Sequence, residues 1–277
     1  MTGHRSPGED ARRHALAGNA SGAIAEFERL AATGDVSASA SLSELAAFRD
    51  DWETVLAHAG RVVTDPDRVY AGNVFDDMVR LLALAGEEGL PWSAIASATK
   101  TALRANTAQV HAHLRTRREK WLRALLELAS GDGQGLEEWP VWTWGSRTPA
   151  PNPAAFEAAV ARLGVANGGT SKAAARHVFH LAVTFGVSRA VIEQYESCPE
   201  SMDFSCGLEV ARRLAFDRPS CAWAAIQRHL PTWQPVDRAQ VAPVVLLVDP
   251  RLRHLCTPER ARTVLETPRG SVIRNRG

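Results

Sequence analysis

Apolar positions recur at steps of three and four along most of the chain. Over residues 20–32, Ala23, Ile24, Phe27, Leu30 and Ala31 fall on one stripe, the mark of an amphipathic helix. The layout returns over 51–64, where Trp52, Val55, Leu56, Ala59, Val62 and Val63 share a face and Asp65-Pro66 closes the segment. It appears a third time, more loosely, at Trp92, Ile95, Ala96, Thr99 and Ala102. Helical stretches at 12–17, 40–48 and 74–85 precede these three. Paired short helices spaced by about 30 to 40 residues predict stacked hairpins, because one hairpin alone cannot bury its apolar face.

Gly18-Asn19 with Ala23-Ile24 and Phe27 supplies a turn, a small residue and an aromatic on a second helix. Asp51-Trp52, Val55-Leu56 and the closing Asp65-Pro66 form a second such set, and Pro91-Trp92 with Ile95 a third. In these features the chain resembles the tetratricopeptide repeat family over residues 10–105. Val55 and Ile95 stand where that family has a small residue, its Trp-Leu-Gly pattern on the first helix is missing, and the spacing is uneven. The resemblance implies a helical solenoid with a concave groove lined by the first helix of each pair, whose usual work is to hold a peptide or another protein.

Beyond the repeats, Asn106 with Gln109 reads as the cap of a helix reaching Ala129, with Val110, Leu114, Trp121, Leu125 and Leu128 as its buried stripe. It ends in Ser130-Gly131-Asp132-Gly133. Residues 137–153, with three tryptophans and four prolines, break the pattern and set a boundary. Further helices are expected near 154–163, 172–185, 189–197, 206–216, 221–229 and 237–247. Asp249-Pro250 and Thr257-Pro258 each place a capping residue before a proline, so two short helices should follow. The apolar run 244–248 is alone in also being compatible with an isolated strand. The expected fold is all-α: a loose start at 1–9, a tetratricopeptide-like solenoid over 10–136, a Trp/Pro-rich loop at 137–153, and a packed helical region over 154–277.

Composition narrows the function classes. An apolar content of 45% over 277 residues supplies a proper core. Lys plus Arg (32) nearly match Asp plus Glu (31), so net charge argues for neither nucleic acid nor an anionic membrane. Cys198, Cys206, Cys221 and Cys256 form no CxxC pair and read as buried free thiols. No signal-peptide core and no apolar run of bilayer length is visible, which points to a cytoplasmic, bacterial-looking protein with no membrane role.

Candidate chemistry is sparse. His177-x-x-His180 on a helix could hold a metal, but no third ligand or intervening carboxylate accompanies it, and His111 and His113 face different directions. Gly131-Asp132-Gly133-Gln134-Gly135 has neither the preceding strand nor the following Lys-Ser of a phosphate loop. Ser205 and Cys206-Gly207 lack a nucleophile elbow. No catalytic, cofactor or metal residue is assigned, and the chain is read as a non-enzyme.

Two features suggest a partner. Between Lys100 and Arg123 there are seven basic residues and one carboxylate, Glu119, and His111, Arg115 and Arg118 stand at i, i+4 and i+7. Trp139, Trp142 and Trp144 crowd one loop, where indoles either dock on their own domain or meet a partner. The leading expectation is a protein-binding adaptor or scaffold, or an immunity-type protein that blocks a toxin. The alternatives are a nucleic-acid-binding regulator using 100–123 and an unrecognised enzyme with a site between the two halves.

Overall fold

A computed structural model describes residues 7–65, 72–106, 112–131, 149–163 and 172–270. These residues are helical or irregular, with no β-strand among them. In chain order the helices are α1 (Pro7–Leu16), α2 (Ala20–Ala32), α3 (Val36–Ala47), α4 (Trp52–Thr64), α5 (Gly72–Glu87), α6 (Trp92–Ala105) and α7 (Ala112–Ala129). They continue with α8 (Pro153–Arg162), α9 (Lys172–Thr184), α10 (Ser188–Ser197), α11 (Phe204–Leu214), α12 (Pro219–His229), α13 (Val245–Val248) and α14 (Pro258–Glu266). The described residues fall into two compact units, one holding those up to 131 together with 234–270 and the other those of 149–233.

In the first unit each helix from α1 to α7 packs on the next, and α3 also meets α5, α4 meets α6 and α5 meets α7. The sequence stripes supply the buried faces, with Ala23 and Phe27 on α2, Val55, Ala59, Val62 and Val63 on α4, and Ile95, Thr99 and Ala102 on α6, while Ile24, Leu30, Trp52, Leu56, Trp92 and Ala96 of the same stripes are only half-buried. Helix starts follow local chemistry. The side chains of Asn19, Asp35, Asp51 and Thr257 accept backbone N–H groups in the first turns of α2, α3, α4 and α14. Gly18 has φ of 84°, and a Cβ there would collide with the Glu266 carbonyl, so this turn requires glycine.

Helix α3 departs from the amphipathic plan. Every residue from Ala38 to Ala47 is buried, Ser39, Ser41, Ser43 and Glu44 included. A helix buried all round needs cover on every side, and here α2, α4 and α5 supply part of it. The remainder comes from far along the chain. Residues 234–270, expected in a C-terminal region, join the first unit instead, and Val241, Ala242, Val244, Leu246 and Leu247 are buried there.

That segment also corrects the local expectations. Neither a helix over 237–247 nor a strand over 244–248 forms: residues 237–244 are irregular and only Val245–Val248 make one helical turn. Pro243 removes an N–H and clashes with a helical backbone, which explains the irregular stretch. After Asp249-Pro250 there is a turn and a short 3-10 segment, Arg253–Leu255, whereas Thr257-Pro258 opens α14 as expected. Asn106 ends α6, its side-chain amide donates to the Arg115 carbonyl at 3.1 Å, and the turn it is expected to cap, with Gln109, lies outside the described residues.

In the second unit α11 packs on α12, and α9 on α10. Gly207 lets the α11–α12 pair close, since a Cβ would stand 2.9 Å from the Ala225 carbonyl oxygen. His229 on α12 lies 3.1 Å from the Tyr195 hydroxyl of α10, both rings buried. Among the cysteines, Cys206 is buried but Cys221 is exposed, correcting the expectation of four buried thiols.

Candidate functional site

Polar side chains of α3 and α5 hold residues 239–242. The backbone N–H groups of Val241 and Ala242 both donate to Glu44 Oε2, at 2.6 and 2.9 Å. Ser41 Oγ, one turn back on α3, donates to the Ala239 carbonyl at 2.8 Å. Gln240 Nε2 donates to Asp77 Oδ2 of α5 at 2.9 Å, while Gln240 Oε1 accepts the N–H groups of Val236 and Asp237. The Arg269 guanidinium closes the far side, donating to the carbonyls of Ala15, Val241, Val264 and Thr267. Buried backbone groups need partners, and Glu44, Ser41, Gln240 and Arg269 provide them for a segment with no ladder or helix of its own, while Asp77 holds the Gln240 side chain in place.

The electrostatics follow from burial. Desolvation pushes the Glu44 carboxyl well above the usual carboxylate range, and the neighbouring Asp77 adds to this, against the two N–H donors and Arg269. Burial raises Asp77 to about 6, despite Arg80 and Gln240. Asp76, buried beside Arg117, is also raised, and burial lowers Arg269 to about 10, so it stays charged at neutral pH.

Two clefts of this unit stay open to solvent. One, of about 170 Å³, borders the held segment and includes Arg12, Phe27, Ser41 and Arg238 in its lining. The other, of about 480 Å³, lies among the start of α2, the turn after α3 and α14, with exposed Arg49, Asp50 and Arg262 beside Ile24, Phe48 and Leu265. Its lining thus carries two arginines, Arg49 and Arg262, and two carboxylates, Asp50 and Glu266, over an apolar floor.

The sequence-singled residues meet different fates. Arg118 is not part of an open strip: it is 7% exposed, donates to the carbonyls of Val63 and Asp65 at 2.9 and 3.0 Å, and stacks 4.7 Å over the Phe75 ring. Its position explains this, because Arg118, Leu122 and Leu125 occupy one face of α7 and both leucines are fully buried. Arg115 is part-exposed on the same helix. Arg117 pairs with Asp76 and Arg123 with Glu119, so three of the seven basic groups are committed within the unit. His111, Trp139, Trp142 and Trp144 lie outside the described residues.

In the second unit His177 and His180 are both exposed, with Arg176 Nε 3.5 Å from His180 Nε2. Among the described residues no three His, Cys, Asp or Glu side chains gather as a metal site. Burial pushes the Cys206 and Cys256 thiols up to about 11 and about 12, so neither is an activated nucleophile at neutral pH. No helix among the described residues is long and apolar enough to cross a membrane.

Glu44, Asp77, Gln240 and Arg269 were missed in the sequence. A signal existed for the segment, Pro243 inside an apparent helix, but nothing local points to its partners on α3 and α5. No family model, no curated protein and no solved structure matches the chain.

Proposed function

We propose that the chain is a non-catalytic protein-binding protein, an adaptor, scaffold or immunity-type protein, with α1–α7 stacked as a tetratricopeptide-like hairpin solenoid. The meeting of α3 with α5 and of α4 with α6 supports that stacking, since successive hairpins bury like faces against like. The observation that carries the reading is how Glu44, Ser41 and Asp77 grip an irregular segment through its backbone and one amide side chain. Here that site serves the chain's own residues 239–242, so a partner meets the open surface, and the cleft of Arg49 and Arg262 is the best candidate.

The test is gentle purification of the full chain from its native host, with the mass of the eluting species measured by light scattering. A heteromer of fixed stoichiometry that dissociates in the R49E/R262E double variant is expected. A chain that elutes alone at every protein concentration would remove the reading. The nucleic-acid alternative loses ground because Arg118 is buried and Arg117 pairs with the buried Asp76.

A further inference from the structure

We propose that closure of the α3/α5 groove by residues 239–242 is proton-linked, with Glu44 and Asp77 gripping the segment most tightly as neutral acids and loosening it as they ionise. The two carboxyls come from adjacent helices and grip the same segment at adjacent points: Glu44 holds the N–H groups of Val241 and Ala242, and Asp77 holds the Gln240 amide. All of these bonds are donated to the carboxyls. Each survives protonation, because a neutral acid keeps an acceptor oxygen. What changes is the charge left at Glu44, which is fully buried, and at Asp77, which keeps only a small exposed fraction.

Glu44 has a place for the proton. Its Oε2 takes both N–H groups, whereas its Oε1 is buried without a hydrogen-bond partner. An ionised carboxylate would leave half its charge on that bare oxygen, a costly arrangement away from water. The surrounding charges do not cancel the cost. Arg269 faces Glu44, but its two terminal nitrogens donate to four carbonyls and none of its N–H groups reaches the carboxyl. Arg80 approaches Asp77 only at 3.5 Å, and Arg117 from α7 is taken by Asp76, whose negative charge opposes ionisation of Asp77.

The sign follows from linkage. A carboxyl whose value in the closed state is raised gives closure a contribution that is complete below its ordinary value and lost as pH rises through the raised one. For Asp77 that window runs from about 4 to about 6, and Glu44 extends it in the same direction. The device is read on the isolated chain and stands apart from the identity of any partner.

Amide hydrogen exchange of the full chain at Val241 and Ala242, corrected for intrinsic rates, tests it. From pH 5 to pH 7 the opening constant should rise about ten-fold from Asp77 alone, and further with Glu44. The E44Q/D77N double variant should lose the slope and keep the protection. An opening constant flat with pH in the parent chain, which needs no variant to measure, would overturn the proposal. So would a slope retained in the double variant, or one shared equally by the Phe27 amide of α2, which would assign the linkage to global unfolding.

Discussion

Glu44 on α3 reaches the backbone of Val241 across 197 residues of sequence, with the N–H to Oε2 distance at 2.6 Å. The contact joins α3 to a segment that follows the whole second unit in the chain, so the first unit is complete only when residues 234–270 have been made. The chemistry of this contact sets the first prediction. Glu44→Ala leaves two buried N–H groups without an acceptor and opens a void, and should cost about 2 to 4 kcal/mol. Glu44→Gln retains an acceptor and removes the buried charge, and should stay within about 1 kcal/mol of the parent at pH 7. Urea midpoints at unchanged slope separate the two outcomes; equal losses would show that the hydrogen bonds contribute little.

Arg118→Ala should destabilise the chain by about 2 to 3 kcal/mol, because the Val63 and Asp65 carbonyls lose a charged donor and Phe75 loses its stacked guanidinium. Thermal unfolding measures this directly. An unchanged midpoint would mean that the side chain is dispensable to the fold, as a solvated strip requires.

Gly18→Ala should cost at least about 2 kcal/mol, since φ of 84° is unfavourable for alanine and the added methyl meets the end of α14. Near-UV and far-UV circular dichroism during denaturation would follow the loss, and a neutral substitution would show that the α1–α2 turn and α14 do not approach as described.

The second unit should respond to acid in the opposite direction to the groove. Burial and the nearby Arg228 hold His229 down at about 4, with its ring against the Tyr195 hydroxyl. A depressed histidine contributes stability that is present above its ordinary value near 6.5 and lost as pH falls toward 4, worth about 3 kcal/mol in full. His229→Gln can still bond the Tyr195 hydroxyl and carries no titrating group. Hydrogen exchange of Ala225 and Ile226 between pH 7 and pH 4.5 should show protection falling in the parent and holding in the variant. Identical profiles would rule out His229 as the source.

Much of the helical plan was readable before any coordinates. Ala23, Phe27, Val55, Ala59, Ile95 and Ala102 sit on stripes of period 3.6, and each is buried. Asn19, Asp51 and Thr257 cap the helices they precede, a relationship confined to three or four residues. The position of Arg118 was also available, since it shares a face with Leu122 and Leu125, but a charged residue invites a surface reading whatever its phase.

What the sequence determined by itself was therefore local: where most helices run, which faces are apolar, and which turns need a cap or a glycine. Those features depend on neighbours within one or two helical turns. The tertiary structure alone decided that α3 is buried on every side, that residues 239–242 fill the groove, and that Glu44, fully buried, and Asp77, nearly so, have raised values. Serines and a glutamate read as exposed on any periodic scheme. They become interior only because a segment lacking regular structure must find partners for its buried N–H and C=O groups, and the groups that satisfy it lie nearly two hundred residues away.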